Sequence, residues 1–380
     1  MHIGTAVLFQ NPDNKLSDRD VWRNNLQLAD MAEPLGFESI WTPEHHFTDY
    51  TMCPNPAQFL THMAGRTKSA LLGTMVMVLP WHHPIRVAEE LSVLDHLSGG
   101  RAMLGIGRGI GKIEFDRFQI DMNESRERFV ESAKAILGSL ETGTMEFDGN
   151  YVKQIPSPIR PLPLRTFKGR TYASAVSPES MRIMAELGVG ILIIPQKSWD
   201  DTVADVKNYS DLFLEVNGCE APPPISAGWV FCDEDEGRAK EMAARYIGTY
   251  YETVLAHYQF GAHMKTTKGY EYYGKFSDTI ERKGEQKMVD FFVDLHVWGT
   301  PKQCLEKIMD LHHKVGNAGF LGVFGYSDMP HEEATRNMKL FAQEVMPSLK
   351  KYTTGAAGMP IDRSDQSHFG LEHFRRLEAV

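Results

Sequence analysis

The segment FESIWTPEHHF, residues 37–47, decides the fold because an apolar run passes directly into a polar, titratable end. Residues 37–41 have the composition of a strand in a parallel barrel, which is buried on both faces. Glu44, His45 and His46 then fall beyond the carboxyl end of that strand, where barrel enzymes carry their catalytic groups. A histidine that only hydrogen-bonds to neighbouring backbone would give the same pattern, so the rest of the chain must decide.

Outward from this segment, short apolar runs alternate with amphipathic helical patterns, which is typical of repeated βα units and a parallel sheet. The predicted strands are 3–9, 39–42, 72–79, 102–106, 171–175, 190–194, 225–231 and 320–324. The predicted helices lie near 18–34, 56–65, 86–97, 125–140, 179–187, 200–216, 237–256 and 331–346. The chain of 380 residues fits an α/β fold with one (β/α)8 TIM barrel and insertions, because such a barrel needs ~250 residues.

Two segments interrupt the regular spacing of these units. Residues 257–296 form a long polar and aromatic excursion, and residues 351–380 are rich in Gly, Asp, Ser and His. We therefore expect one domain over residues 1–350, with an insertion near 257–296, and a C-terminal extension at 351–380. Because a long connection in a barrel is often a lid, we predict that 257–296 closes over the pocket, the alternative being a surface excursion without a catalytic role.

Composition excludes several classes of protein. With 42% hydrophobic and 24% charged residues, no apolar run approaches the ~20 residues of a membrane helix, and the net charge of −10 disfavours a nucleic-acid surface. The N-terminus MHIGTAVLFQ has no basic region typical of a signal peptide. The four cysteines are scattered, without the spacing of zinc ligands. We expect a cytoplasmic protein without a structural disulfide or a metal site.

Several motifs then occur together in a fixed order. They are EHHF at 44–47, PNP at 54–56, GTMVMVLPWHHPIRVAEELSVLDHLSGGR at 73–101, LGIGRG at 104–109, DMNESR at 121–126, KGYEYYGKF at 268–276, RKG at 282–284, WGTPKQC at 298–304 and MKLFAQEVMPSLK at 338–350. This set resembles the bacterial luciferase-like flavin monooxygenase family, and most of all the luciferase α subunit, over about residues 1–350. The resemblance implies a (β/α)8 barrel that binds reduced FMN, adds O2 at the flavin C4a position and oxygenates a small organic substrate by hydroxylation or Baeyer–Villiger insertion.

The resemblance also implies partners. A separate NAD(P)H:flavin reductase is expected to supply reduced FMN, because no Gly-rich nicotinamide fingerprint lies between a strand and a helix. The GIGRGIG run at 105–111 has the wrong context for such a turn. A homodimer or a luciferase-like heterodimer is expected.

Phosphate binding requires positive charge and backbone donors, preferably at the start of a helix. Arg108 follows a strand, Arg126 opens a helix, and Ser177 and Ser180 flank Pro178 at another helix start, so these residues resemble the family's FMN phosphate site. For each serine alone an ordinary N-cap is the simpler interpretation, and it is the set of four positions that favours phosphate. By the same resemblance, the positions expected beside the flavin are Met75, Val76, Ile110, Ala175 and Val176, the peptide at 75–76 often being cis in the family.

His45 matches the family's catalytic histidine, which accepts or relays a proton. Glu44 is expected to orient an imidazole or to form a salt bridge at the barrel rim, and His83, in the second pair His82-His83, matches a histidine near the pocket. The substrate pocket is expected at positions where the chain departs from the family or retains an aromatic wall: Gly107, Gly111, Pro195, Tyr250 and Ser327. Gly107 replaces a reactive cysteine and should leave space beside the flavin.

Two alternatives remain open on the sequence. One is a deazaflavin-dependent oxidoreductase of the same superfamily, and the other is a non-catalytic partner similar to the luciferase β subunit. The EHHF motif and the matched arginines argue against the first. The presence of His45 and of the 257–296 excursion argues against the second. The departures in the pocket argue against a long-chain aldehyde substrate and light emission, and favour a bulkier or cyclic substrate.

Overall fold

A computed structural model describes residues 1–174, 177–261 and 263–352. Its strands are β1 (His2–Ala6), β2 (Ser39–Thr42), β3 (Leu71–Thr74), β4 (Met77–Val78), β5 (Ala102–Gly107), β6 (Thr144–Asp148), β7 (Lys153–Pro158), β8 (Thr171–Ser174), β9 (Gly190–Ile193), β10 (Ile225–Cys232), β11 (Val297–Gly299) and β12 (Gly319–Val323). Its helices are α1 (Asp18–Leu35), α2 (Pro56–Arg66), α3 (Pro84–Ser98), α4 (Lys112–Phe118), α5 (Ser125–Thr142), α6 (Pro178–Leu187), α7 (Trp199–Asn217), α8 (Glu236–Tyr258), α9 (His263–Thr266), α10 (Glu271–Lys283), α11 (Glu285–Leu295), α12 (Pro301–Val315), α13 (His331–Leu340) and α14 (Met346–Lys350).

Eight parallel strands close into a barrel. The order is β12, β1, β2, β3, β5, β8, β9 and β10, and β10 pairs with β12 to complete the ring. Helices surround this ring, so the predicted (β/α)8 barrel is confirmed. Because all strands run in the same direction, their carboxyl ends meet at one face, where the candidate site lies.

The barrel interior is filled by side chains, and β2 illustrates why its sequence fits. All four residues of β2 are buried, as expected for a strand covered on both faces. The Trp41 ring lies inside the barrel against Gly73 of β3, where a Cβ atom would come within 2.2 Å of the ring. Any larger residue at 73 would displace the indole, so Gly73 makes room for Trp41.

The third predicted strand, 72–79, is interrupted in the structure. β3 ends at Thr74, β4 begins at Met77, and the Met75–Val76 peptide between them is cis. The other seven barrel strands lie within a few residues of their predicted positions, with Ala175 of the predicted strand 171–175 outside the described residues.

The structure adds elements that the sequence reading lacked. An antiparallel hairpin, β6–β7, follows α5, and α12 precedes the last barrel strand. The sequence around α12 carried a clear signal: Thr300 and Gln303 form a capping box, and apolar side chains recur on one face. The predicted helices do not include α12, although these signals favour a helix there.

The 257–296 insertion is helical rather than loop-like. It comprises the last turn of α8, then α9, α10 and α11. Val289, Phe292 and Val293 of α11 are buried, and α11 packs against α8. Among the described residues, no helix is long and apolar enough to span a membrane.

Candidate active site

One cavity opens at the carboxyl ends of the barrel strands. Twelve of the seventeen predicted site residues contribute to its wall: Glu44, His45, Met75, Val76, Gly107, Arg108, Ile110, Arg126, Ser177, Ser180, Pro195 and Tyr250. His83, Gly111 and Ser327 are not part of the wall. Ala175 and Val176 lie outside the described residues. Barrel closure therefore brings together residues that are far apart in the sequence.

Basic and hydroxyl side chains line part of this cavity, and Arg126 Nη1 donates to Glu179 in the first turn of α6. Arg108 follows β5, and Arg126 lies in the first turn of α5. Ser177 is the N-cap of α6, its hydroxyl accepting from the Ser180 backbone N–H (3.3 Å) and lying 2.8 Å from the Ser180 hydroxyl. Two guanidinium groups, two hydroxyls and a helix N-terminus form a cradle suited to a phosphate.

The insertion reaches this phosphate cradle through one turn. The Gly269 carbonyl accepts from Arg108 Nη1 (2.8 Å) and Arg126 Nη2 (3.3 Å). The Tyr270 ring lies 4.0 Å from the Arg108 guanidinium carbon, and its hydroxyl donates to the Gly109 carbonyl (2.8 Å). The insertion is thus anchored to the residues predicted to hold the phosphate.

Beside the cradle, Val76 fills the space opposite Gly107. A Cβ atom at position 107 would come within 2.3 Å of Val76 Cγ2. The expectation that Gly107 leaves open space beside the flavin is therefore wrong, because the neighbouring strand supplies a side chain there.

In the same cavity wall, His45 is held by a carboxylate that sequence reasoning missed. Glu114, in α4, accepts from His45 Nδ1 (3.1 Å) and from the His46 backbone N–H (2.8 Å). Burial opposes ionisation, but the adjacent His45 and His257 hold the pKa of Glu114 at about 2. Because a carboxylate only accepts, Nδ1 of His45 carries the proton, and Nε2 lies 3.4 Å from the Tyr258 hydroxyl.

Glu44 orients imidazoles, as predicted, but not that of His45. The buried carboxylate accepts from His46 Nε2 (2.9 Å), His82 Nε2 (2.6 Å) and the Val78 backbone N–H (2.8 Å). Burial opposes the ionisation of both Glu44 and His82. The hydrogen bonds from His46 and His82 nevertheless lower the pKa of Glu44, and the Glu44 carboxylate raises the pKa of His82. His83 is exposed at the start of α3, so its position gives no support to a catalytic contribution.

An aromatic region extends from His45 to the far wall. The Tyr50 and Tyr250 hydroxyls are hydrogen-bonded (2.9 Å), and the Tyr250 ring lies against Trp229 and Phe292 at centroid distances of 4.4 and 6.0 Å. Tyr250 thus forms the predicted aromatic wall. The region offers flat apolar surfaces together with hydroxyl groups.

Two predicted pocket residues lie behind the wall. Gly111 is the N-cap of α4 and faces Glu114 and His257. Ser327 is buried at a turn with φ of 56°, and its N–H donates to Gln10 Oε1 (2.7 Å). These contacts place both residues outside the cavity wall, which corrects the expectation that they line it.

The missed residues left weak traces in the sequence. Glu114 follows the glycine-rich turn after β5 and could have been found by asking which carboxylate lies beyond a neighbouring strand end. His257 and Tyr258 mark the start of the excursion at 257. No local motif distinguishes them from ordinary helix residues.

Comparisons with known proteins agree with this architecture. The alkanal monooxygenase alpha chain of Photorhabdus luminescens is 27% identical over 355 residues, covering 92% of this chain and 98% of that protein. Among solved structures, monooxygenase RslO1 from Streptomyces bottropensis has a TM-score of 0.75 at 24% identity and covers 92% of this chain and 100% of its own.

Two further solved structures share the fold. The oxygenating constituent of 3,6-diketocamphane monooxygenase from Pseudomonas putida, a type II Baeyer–Villiger monooxygenase in complex with FMN, has a TM-score of 0.71 at 20% identity, covering 91% of this chain and 98% of its own. The coenzyme F420-dependent tetrahydromethanopterin reductase of Methanopyrus kandleri has a TM-score of 0.62 at 19% identity, covering 92% and 99%. The fold therefore serves flavin and deazaflavin enzymes.

The family model described as luciferase-like monooxygenase matches residues 1–317, most of the chain. With the closed barrel and the cavity at its carboxyl end, this match shows that the chain belongs to the luciferase-like monooxygenase family.

Proposed function

We propose that this protein is the oxygenating component of a two-component flavin-dependent monooxygenase, which uses reduced FMN and O2 to oxygenate a small organic substrate. The observation that carries the proposal is one cavity whose wall contains Arg108, Arg126, Ser177 and Ser180 together with His45. The phosphate cradle favours FMN, and reduced flavin supplies the electrons that O2 activation requires.

The cradle residues would bind the phosphate. Arg108 can present a bidentate fork to phosphate oxygens, and Arg126 adds a second positive charge at the start of α5. Ser177 and Ser180 offer hydroxyl donors at the N-terminus of α6, where unpaired backbone N–H groups favour an anion. Met75, Val76 and Ile110 supply the apolar wall on which a flavin ring would lie.

His45 would move the proton. Glu114 fixes the ring with Nδ1 protonated, which leaves Nε2 facing the cavity as an acceptor. An imidazole in this state can take a proton from a substrate or return one to a leaving group, as general bases and acids do. Tyr258, next to Nε2, can hand on that proton.

The substrate would occupy the aromatic region beyond His45. Its rings favour a flat or cyclic compound through stacking, and the Tyr50 and Tyr250 hydroxyls can bond to a carbonyl or hydroxyl group. Hydroxylation and Baeyer–Villiger insertion both fit this arrangement. We propose that a separate NAD(P)H:flavin reductase delivers reduced FMN and that the protein functions as a dimer.

The test is a reconstituted assay with a purified flavin reductase, NADH, FMN and a panel of cyclic ketones and phenols. We expect O2-dependent product, with less hydrogen peroxide per NADH consumed when a substrate is present. Activity with reduced F420 in place of reduced FMN, without O2 consumption, would instead identify a deazaflavin oxidoreductase. Absence of product with His45 intact and flavin bound across the panel would favour a non-catalytic partner subunit.

A further inference from the structure

Behind His45, two buried polar atoms face each other. Glu114 Oε2 and His257 Nε2 lie 3.4 Å apart, and the side chains of both residues are 1% exposed. Among the residues that the structure describes, neither atom has another hydrogen-bond partner. Since an unpaired buried polar group is costly, each atom is the other's available partner.

Because a carboxylate can only accept, the His257 nitrogen that faces Glu114, Nε2, carries the proton. His257 Nδ1 lies 3.0 Å from the Thr48 hydroxyl, which can donate to it. Nε2 points at one carboxylate oxygen of Glu114, just as Nδ1 of His45 points at the other. Glu114 therefore bridges two imidazoles, each of which donates an N–H to one carboxylate oxygen.

Gly111 explains why this contact exists here. A Cβ atom at 111 would lie 2.4 Å from Glu114 Oε2 and 3.1 Å from His257 Nε2. Its φ of −69° is open to any residue, so the glycine is needed for space and not for backbone conformation. The smallest residue at 111 thus lets Glu114 and His257 meet.

We propose that His257 is a positioning residue that holds Glu114 and thereby fixes His45 with its Nε2 free to accept a proton. The proposal rests on the proposed function, because it assigns a role in preparing the proton acceptor. His257 also belongs to the last turn of α8, where the insertion begins. His45 is therefore connected, through Glu114 and His257, to the start of the insertion.

Other groups contact the triad formed by His45, Glu114 and His257. Tyr50 stacks on His257 at 4.5 Å between ring centroids, Tyr258 approaches at 5.1 Å, and His45 at 5.0 Å. Burial lowers the pKa of His257 against the opposing effect of Glu114 and of the nearby Asp49. The hydrogen bond from His257 favours the ionised form of Glu114, which accepts from His45.

A pair of substitutions separates hydrogen bonding from packing. His257→Gln keeps a donor for Glu114 and an acceptor for Thr48, whereas His257→Phe keeps a ring to stack on Tyr50 but has no donor. We expect turnover within about twofold of wild type for His257→Gln and about tenfold lower for His257→Phe, as for the loss of one hydrogen bond to a charged group. The opposite ranking would assign His257 to packing and overturn the proposal.

A readout without flavin keeps this test independent of the proposed function. In protein labelled with 15N-histidine, His45 should show one tautomer with Nδ1 protonated, its signals being assigned through His45→Asn. His257→Phe and Gly111→Ala should each produce a mixture of tautomers, whereas Gly65→Ala, at a site with open space, should not. A single His45 tautomer in all variants would overturn the proposal even if the enzyme is active.

A metal is the competing explanation for this cluster, since the donor atoms of His45, Glu114 and His257 lie within 4.8 Å of one another. The wild-type apoprotein should therefore be titrated with Zn2+ by calorimetry. We expect no stoichiometric binding. One equivalent bound tightly, and lost in His257→Phe, would overturn the hydrogen-bonded triad.

Discussion

At the scale of single residues, His45 carries the central chemical claim. His45→Asn removes the ring that accepts the proton but leaves the phosphate cradle untouched. We expect reduced FMN binding close to wild type and turnover lower by ~10²–10⁴, the range for a lost general base. Stopped-flow and steady-state kinetics measure both quantities. Near wild-type turnover would make His45 a structural residue.

Arg108 tests the phosphate cradle by itself. Arg108→Met keeps an unbranched chain but removes the guanidinium that can grip phosphate oxygens. The variant should bind reduced FMN at least about tenfold more weakly, with a much smaller effect on reduced riboflavin, which lacks the phosphate. Anaerobic fluorescence titration with both ligands gives the ratio. Equal loss for both would assign Arg108 to the fold or to the flavin ring.

The sequence predicted those site residues that directly follow a strand or open a helix, such as His45, Arg108 and Ser177. These residues also match the family's motifs, and position relative to one element is not enough by itself, because His83 also precedes a helix but is not part of the cavity wall. Glu114 and His257 escaped because their roles depend on contacts between different elements. Gly107 shows the same limit, since the occupant of its space, Val76, belongs to a neighbouring strand.

At the scale of elements, the insertion departs from the alternation of strands and helices, because α9, α10 and α11 follow α8 without an intervening strand. Tyr270 is buried, and its hydroxyl contacts the Gly109 carbonyl and the Ser125 hydroxyl (3.0 Å). Tyr270→Phe keeps the ring over Arg108 but loses both contacts, worth ~0.5–1.5 kcal/mol each. If the insertion is a lid, this loss should loosen it and admit water.

The expected result for Tyr270→Phe is hydrogen peroxide release several-fold above wild type at nearly unchanged FMN affinity. Peroxide per NADH consumed, measured in the reconstituted assay, checks this outcome. Tyr352→Phe, at an exposed residue outside the cavity wall, is the matched control. Unchanged coupling in Tyr270→Phe would mean that this anchor does not control water access.

Element boundaries were predicted best where periodicity and caps agree, as in α1 and α7. The predicted strand 72–79 failed locally because a continuous apolar run does not reveal an interruption at residues 75–76. The helices of the insertion were missed although α10 and α11 are amphipathic, because Gly261, Gly269, Gly274 and Gly284 punctuate the segment as they would a loop. α11 packs on α8, and Met264 and Tyr270 form a small apolar cluster with Phe115 and Met122.

At the scale of the whole molecule, buried neutral histidines couple stability to pH. Burial lowers the pKa of His2 to about 4 and that of His296 to about 3. The unfolded chain takes up these protons below pH ~6.5 while the folded protein does not, so stability falls as pH decreases from there towards 4.

Replacing one such group should flatten the pH dependence. In His296→Gln, the unfolding temperature should change less between pH 6.5 and 4.5 than in wild type, whatever its value at neutral pH. His313→Gln, at an exposed position, should keep the wild-type slope. Calorimetry across this range gives the slopes. Parallel curves for wild type and His296→Gln would show that His296 does not drive the acid sensitivity.

The measurement that tests the central claim most directly is anaerobic titration of the purified protein with reduced FMN, followed by addition of O2. The account predicts binding of one reduced FMN per barrel, a requirement for Arg108, and O2 consumption that yields product when a substrate is present. Failure to bind reduced FMN, together with binding of reduced F420 and no consumption of O2, would contradict it.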